Sequence, residues 1–223
     1  PETYNQEPTW SFVWNKLNKE KGKNGRGDWW LRTADGSQIT GFSASQRRIN
    51  FTPEVSPDLN GLRWPEWFAR YWNAAPSDSG EWVNSSGRGL REGRWDGIYE
   101  DNQYISYAFG VTADYNSDGT NDDKSSDYVR SLVMQGHTAY IAEWKRLQPN
   151  WYFAANMSSQ AGATQESVPE SFQGINDGGW IEEATRAETW GGWQEMMERY
   201  RRVLGYLRGP KIAMFHNNLD NLR

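Results

Sequence analysis

The stretch Trp95-Asp96-Gly97-Ile98-Tyr99-Glu100-Asp101-Asn102 decides the fold. It reads as a short, half-apolar strand that runs into a carboxylate and then an amide. Strand alternation puts Gly97, Tyr99 and Asp101 on one face and Asp96, Ile98 and Glu100 on the other. A buried strand whose last residue is a carboxylate is a common way to present that group at the mouth of an α/β barrel. The plainer alternative is an ordinary strand followed by a solvated acidic turn.

Working outward, the pattern repeats downstream. Val129, Leu132, Val133, Gly136, Tyr140, Trp144 and Leu147 predict a helix that stops at Pro149. Residues 151–156 read as a strand ending in Asn156, and residues 174–183 as one ending in Glu182 and Glu183. Trp193, Met196, Met197, Tyr200, Val203, Leu204 and Leu207 predict a helix closed by Gly209-Pro210, and residues 211–217 a last strand ending in His216-Asn217. Upstream, residues 9–17 carry helical spacing, as do Leu62, Trp64, Trp67, Phe68, Tyr71 and Trp72, with Pro65 acceptable in a first turn. Residues 28–33 and 49–52 read as strands, with a turn at 34–37.

From Trp95 onward strand and helix alternate with no hairpin signal, which is the pattern of a parallel sheet with crossover helices. The expected fold class is α/β, of the (β/α)8 TIM-barrel type. About six strands can be counted in the 223 residues, whereas a full barrel has eight and takes roughly 250 residues. The expectation is therefore a single barrel domain over 1–223, incomplete by about two units. A doubly wound open sheet is the alternative, but no Gly-rich phosphate loop follows any strand.

Composition narrows the partners. A formal net charge of -5 argues against nucleic acid or an anionic membrane. No apolar run approaches 18 residues, so no membrane-spanning helix is expected. With no Cys there is neither a disulfide framework nor a thiolate metal site, which fits a bacterial or phage protein. Fourteen Trp and eleven Tyr are the loudest signal. Flat aromatic faces with a polar edge suit sugar rings, although more than half of these indoles are expected simply to fill the interior.

In a barrel, Asp101-Asn102, Asn156, Glu182-Glu183 and His216-Asn217 would all project over one face. Two carboxylates from different strands are what glycoside hydrolysis requires. Asp96-Gly-Ile-Tyr-Glu-Asp101 and Asp177-Gly-Gly-Trp-Ile-Glu182 share an Asp-Gly opening and reach an acid at the same offset. That match favours Glu182 over Glu183, whose plainer role is an ion pair with Arg186 or a charge at a helix start.

These elements together resemble the glycoside-hydrolase-like barrels known as hypothetical glycosyl hydrolase family 15-like proteins and, more distantly, the endo-α-1,4-polygalactosaminidase group. The resemblance spans roughly residues 28–217 and departs at Glu100, where the family more often has an apolar residue. It implies a catalytic pair of Asp101, as nucleophile or base, and Glu182, as general acid. Asn102, Asn156, Glu183, His216 and Asn217 are then expected at sugar hydroxyls, and Tyr104, Trp180 and Trp30 as stacking platforms. The expected substrate is a polysaccharide and the expected location extracellular or at the cell surface. A non-catalytic carbohydrate-binding barrel and a structural or adhesion module are the alternatives.

The loop after the opening stretch places oxygen ligands at Asp114, Asn116, Asp118 and Asp122 with Gly119 at the sixth position, as calcium loops do. Ser125 stands where an EF-hand has its bidentate Glu. A structural Ca²⁺ completed by Asp123 or Asp127 is one expectation, and a solvated Asx-turn loop is the other.

Overall fold

A computed structural model describes residues 2–3, 8–19, 29–41, 45–74, 90, 95–101, 111–156, 174–182, 193–209 and 211–216. The chain divides into two compact units. The first holds Pro1–Arg94 and Phe109–Pro149, and the second Trp95–Ala108 and Asn150–Arg223. Among the described residues, no helix is long and apolar enough to cross a membrane.

The first unit contains helices α1 (Pro8–Lys19), α2 (Trp64–Asn73) and α3 (Asp127–Leu147), with a two-residue antiparallel pair, β1 (Glu2–Thr3) and β2 (Arg47–Arg48). Pro65 lies in the first turn of α2, where its missing N–H costs nothing. Ser126 caps α3, its hydroxyl accepting from the Val129 N–H at 3.2 Å. The periodic apolar residues on α2 and α3 face each other, and aromatic rings fill the interior. Trp64, Trp67 and Tyr71 stack in sequence along α2, Trp64–Trp67 at 5.5 Å and Trp67–Tyr71 at 5.3 Å. Trp29 meets both indoles at 6.0 Å. Among the described residues of this unit, Trp29, Trp30, Trp64, Trp67 and Trp144 are buried and serve as core.

Two buried carboxylates, Asp58 and Glu143, hold ion pairs in this unit. Lys16 Nζ lies 2.7 Å from the buried Asp58 carboxylate and 5.3 and 5.5 Å from the centroids of Trp29 and Trp67. Glu143 on α3 accepts from Arg70 on α2 at 2.6 Å and from Arg146 at 2.7 Å. Burial alone would raise the Glu143 carboxyl, but hydrogen bonds from Arg146 and Arg70 outweigh it and hold it below the usual range.

The second unit is a four-stranded, wholly parallel sheet in the sequential order β3 (Gly97–Glu100), β4 (Tyr152–Asn156), β5 (Gly178–Glu182) and β6 (Ile212–His216). Helix α4 (Trp193–Tyr206) lies between β5 and β6 in the chain and packs on both, as a crossover between parallel neighbours does. Its buried residues Met196, Val203 and Leu207 repeat at helical spacing.

The barrel expectation is corrected by this arrangement. The described strands form a small open parallel sheet within a mixed α/β fold, not a (β/α)8 barrel. The physical reason lies in the first half of the chain. The segments expected as barrel strands, residues 28–33 and 49–52, pair antiparallel through single bridges, Trp30 with Ile49 and Arg32 with Gln38. Helix α3, expected to cross from β3 to β4 over the sheet, belongs to the first unit and packs on α2.

Candidate functional site

Strand register decides which residues share a face. Glu100 pairs with Ala155, so Asp101 lies level with Asn156, which in turn pairs with Trp180. Trp180 pairs with Met214, and Glu182, two residues further along β5, pairs with His216. Residues level across a parallel sheet, and residues two apart along a strand, occupy the same face. Asp101, Asn156, Trp180, Glu182 and His216 therefore fall on one face at the carboxyl ends of four adjacent strands. That is the edge at which open α/β sheets bind ligands.

The first two residues touch. The Asn156 side-chain amide donates to Asp101 Oδ1 at 2.9 Å. Asn156 is only 4 % exposed while Asp101 is exposed, so a buried amide orients a carboxylate that faces solvent. Glu100 is half-buried on the opposite face, consistent with its alternation. Of Trp180, Glu182 and His216 the backbone alone is described. Asn102, Tyr104, Glu183 and Asn217 lie outside the described residues.

Equal offsets in the sequence do not give equal heights in the sheet. Gly97 is level with Tyr152, whereas Gly178 is level with Ala154, so β5 is staggered by two residues relative to β3. Glu182 stands one pleat beyond Asp101. The opposite, amino-terminal end of the sheet is a structural clasp. Asp177 accepts from the Phe153 N–H at 2.9 Å, and its carbonyl accepts from the Tyr152 hydroxyl at 2.6 Å. Asp177 thus staples β5 to β4, while its counterpart in the sequence match, Asp96, is exposed and uses its carbonyl to accept from the Tyr152 N–H.

Trp30 does not belong to this site. Its indole is 2 % exposed in the first unit, donates to Asn18 Oδ1 at 3.1 Å and meets Trp14 edge-on at 4.9 Å, leaving no face for a sugar ring. Two exposed aromatics that the residue pattern did not single out lie on β3 and at its start: Tyr99 and Trp95. The available signal was parity, since Tyr99 and Asp101 alternate on one face.

The acidic loop is highly ordered by its own hydrogen bonds. The Asp114 carboxylate accepts from the N–H groups of Asp118 at 3.0 Å and Gly119 at 2.8 Å, and Asp118 Oδ1 accepts from Thr120 at 2.7 Å. Asp122 Oδ2 accepts from the Tyr115 N–H at 2.9 Å, and the Tyr115 carbonyl takes side-chain hydrogen bonds from Asn50 and Thr52, both at 2.9 Å. Burial pushes the Asp122 carboxyl above its ordinary value, helped by the neighbouring Asp118 and Asp114 charges and opposed by the backbone N–H groups. Asn116 donates to Asp118 Oδ2 at 3.1 Å. Asp123 instead holds Ser125 through its backbone N–H and hydroxyl, at 2.9 and 2.6 Å, and those bonds lower its pKa.

The oxygen-only donors suit a hard cation. Yet among the described residues no three acidic or imidazole side chains converge as a metal centre. No protein-family model matches the chain, and no curated protein sequence matches it significantly.

Proposed function

We propose that the protein hydrolyses glycosidic bonds of a polysaccharide at the carboxyl edge of the β3–β6 sheet. The observation that carries this reading is the exposed Asp101 carboxylate, oriented by the buried Asn156 amide, on the face that also bears the Glu182 and His216 positions. With strands about 4.8 Å apart and a rise of about 3.3 Å per residue, two strands across and two residues along put the Cα atoms of Asp101 and Glu182 roughly 12 Å apart. That backbone spacing leaves room for a water between the two positions and disfavours the carboxyl separation of about 5–5.5 Å that direct attack needs.

The mechanism that follows is inversion. Asp101 takes a proton from a water as its oxygen bonds to the anomeric carbon. The C–O bond to the leaving sugar breaks, and Glu182 delivers a proton to the departing oxygen. One water is consumed, and the new hemiacetal has the opposite anomeric configuration. A structural Ca²⁺ in the Asp114–Asp122 loop belongs to the same proposal. Its donors would be Asp114, Asn116, Asp118 and Asp122, and it would take no part in the bond-breaking step.

A glycan panel assayed for new reducing ends tests the proposal. Asp101→Asn and Glu182→Gln should each cut turnover by about a thousandfold or more while the melting temperature holds. Proton NMR of the first product should show the inverted anomer. Turnover near the unaltered level in either variant removes that residue from the mechanism.

A further inference from the structure

We infer that Glu182 and His216, level neighbours at the carboxyl ends of β5 and β6, form a carboxylate–imidazole pair that stores the proton delivered to the leaving oxygen. The role in turnover rests on the hydrolase reading, but the pairing can be measured without turnover. Register carries it. Glu182 pairs with His216 in the parallel ladder, so the two positions share a face and their Cα atoms stand about 4.8 Å apart. Each is the last residue of its strand and the one charged or imidazole-bearing residue in it. Two residues back on the same face the level positions are Trp180 and Met214, both uncharged.

The surrounding elements bring few competing charges. On β4, the neighbour on the far side of β5, the one ionisable side chain is Tyr152, whose hydroxyl is engaged at the amino end of the sheet on the Asp177 carbonyl. Asp177 and Arg208, 3.9 Å apart, belong to that end too. Asn156, level with Trp180, is uncharged and donates to Asp101. Asp101 follows β3, which lies two strands from β5 and three from β6. Helix α4, packed on β5 and β6, buries the apolar Met196, Val203 and Leu207. Of its described charged residues, Glu198, Arg201 and Arg202 are exposed and Glu195 is half-buried, as are Tyr200 and Tyr206. Within the described sheet, register therefore gives His216 one carboxylate neighbour, Glu182.

A carboxylate beside an imidazole favours the charged form of each, so the two titrate as a unit that holds one proton over a wide pH range. As the C–O bond breaks, that proton passes from the imidazolium to the carboxylate and on through Glu182 to the leaving oxygen. The imidazole then takes another from solvent, into which Asp101 releases the proton it drew from the attacking water. The acid thus stays loaded at pH values where a lone carboxylate would be ionised. His216 is a positioning residue in this scheme, acting through Glu182.

The test is proton NMR of the full chain. It has two histidines, hence two imidazole Cε1–H signals, and His216→Gln identifies one of them. In the unaltered chain that signal should show two inflections with pH, one in the carboxylate range at about 4 and one above the ordinary imidazole value of about 6.5. Glu182→Gln should remove the lower inflection and bring the upper one down by about half a pH unit or more. Asp101→Asn, three strands from β6, should leave both in place. A single inflection at the ordinary value in the unaltered chain overturns the pairing whatever the variants do. So does an upper inflection that Glu182→Gln leaves unmoved, or that Asp101→Asn moves as far. In turnover, His216→Gln should shift the basic limb of kcat down by about two pH units, a loss of about a hundredfold at pH 7 that is largely recovered near pH 5. An unshifted limb overturns the proton-storing role. If the two inflections behave as described while the unaltered chain cleaves no glycan, the hydrolase reading fails and the pairing stands. If both acids prove essential while His216 titrates alone, this inference fails by itself.

Discussion

At the scale of single residues, the chain is most constrained where a backbone or an amide leaves no room for substitution. Asn156→Ala should release Asp101 from its orientation, lowering kcat by roughly ten- to a hundredfold with little change in KM, since alignment of the reacting group is what is lost. Gly136→Ala tests close packing. Alanine gains about 1 kcal/mol of helix propensity, but its Cβ would strike the Phe51 backbone, with the Phe51 Cδ1 at 2.8 Å, and overpacking costs about 1–3 kcal/mol. The clash should win, giving net destabilisation in denaturant unfolding. Glu143 carries a pH signature. Its folded pKa is lowered, so its contribution is present above the unfolded carboxyl pKa and is lost as pH falls through the folded value. Glu143→Gln should cost about 2 kcal/mol at neutral pH, and the difference from the unaltered chain should shrink on acidification. None of these three contacts was legible beforehand. Asn156 was visible as a strand-end amide, but its partner depends on register, and register is a property of two strands at once.

At the scale of elements, helix periodicity and strand ends were the legible part. The expected helix from Leu62 to Trp72 is α2, the one from Val129 to Leu147 is α3, and the four strands from Trp95 onward pair in parallel as the alternation implied. Residues 28–33 and 49–52 misled because four to six extended, aromatic-rich residues look alike whether they enter a barrel or a pair of antiparallel bridges. The stagger of β5 was likewise invisible, because the sequence match between Asp96–Asp101 and Asp177–Glu182 carries no information about height. The acidic loop gives the prediction at this scale. The raised pKa of Asp122 means that its ionisation opposes folding: the favourable contribution exists below the unfolded pKa and vanishes as pH rises through the folded one. A dication held by Asp114, Asp118 and Asp122 would reverse that sign. Millimolar Ca²⁺ should therefore raise the melting temperature at pH 7, and the gain should fade as pH approaches 4. No shift in melting, together with no heat on titration, eliminates the ion.

At the scale of the whole molecule, the described tryptophans include a fully buried set and an exposed set. Trp29, Trp64 and Trp67 are buried in the first unit, whereas Trp95 and Trp193 in the second are exposed. Acrylamide quenching should therefore reach a red-shifted fraction that includes Trp95 and Trp193 before a blue-shifted one that includes Trp29, Trp64 and Trp67. The division into units also bears on how the chain reaches its native state. Gly97 pairs with Tyr152, 55 positions later, and the intervening residues 109–149 belong to the other unit. On a ribosome, β3 emerges well before β4 exists, and during that interval 109–149 must find α2. Loop closure over that separation is entropically expensive, and parallel pairing is slow even when it is local. The strand that carries Asp101 is thus the part of the sheet whose partner arrives latest relative to its own synthesis, and its unpaired edge is exposed for longest to the wrong neighbour.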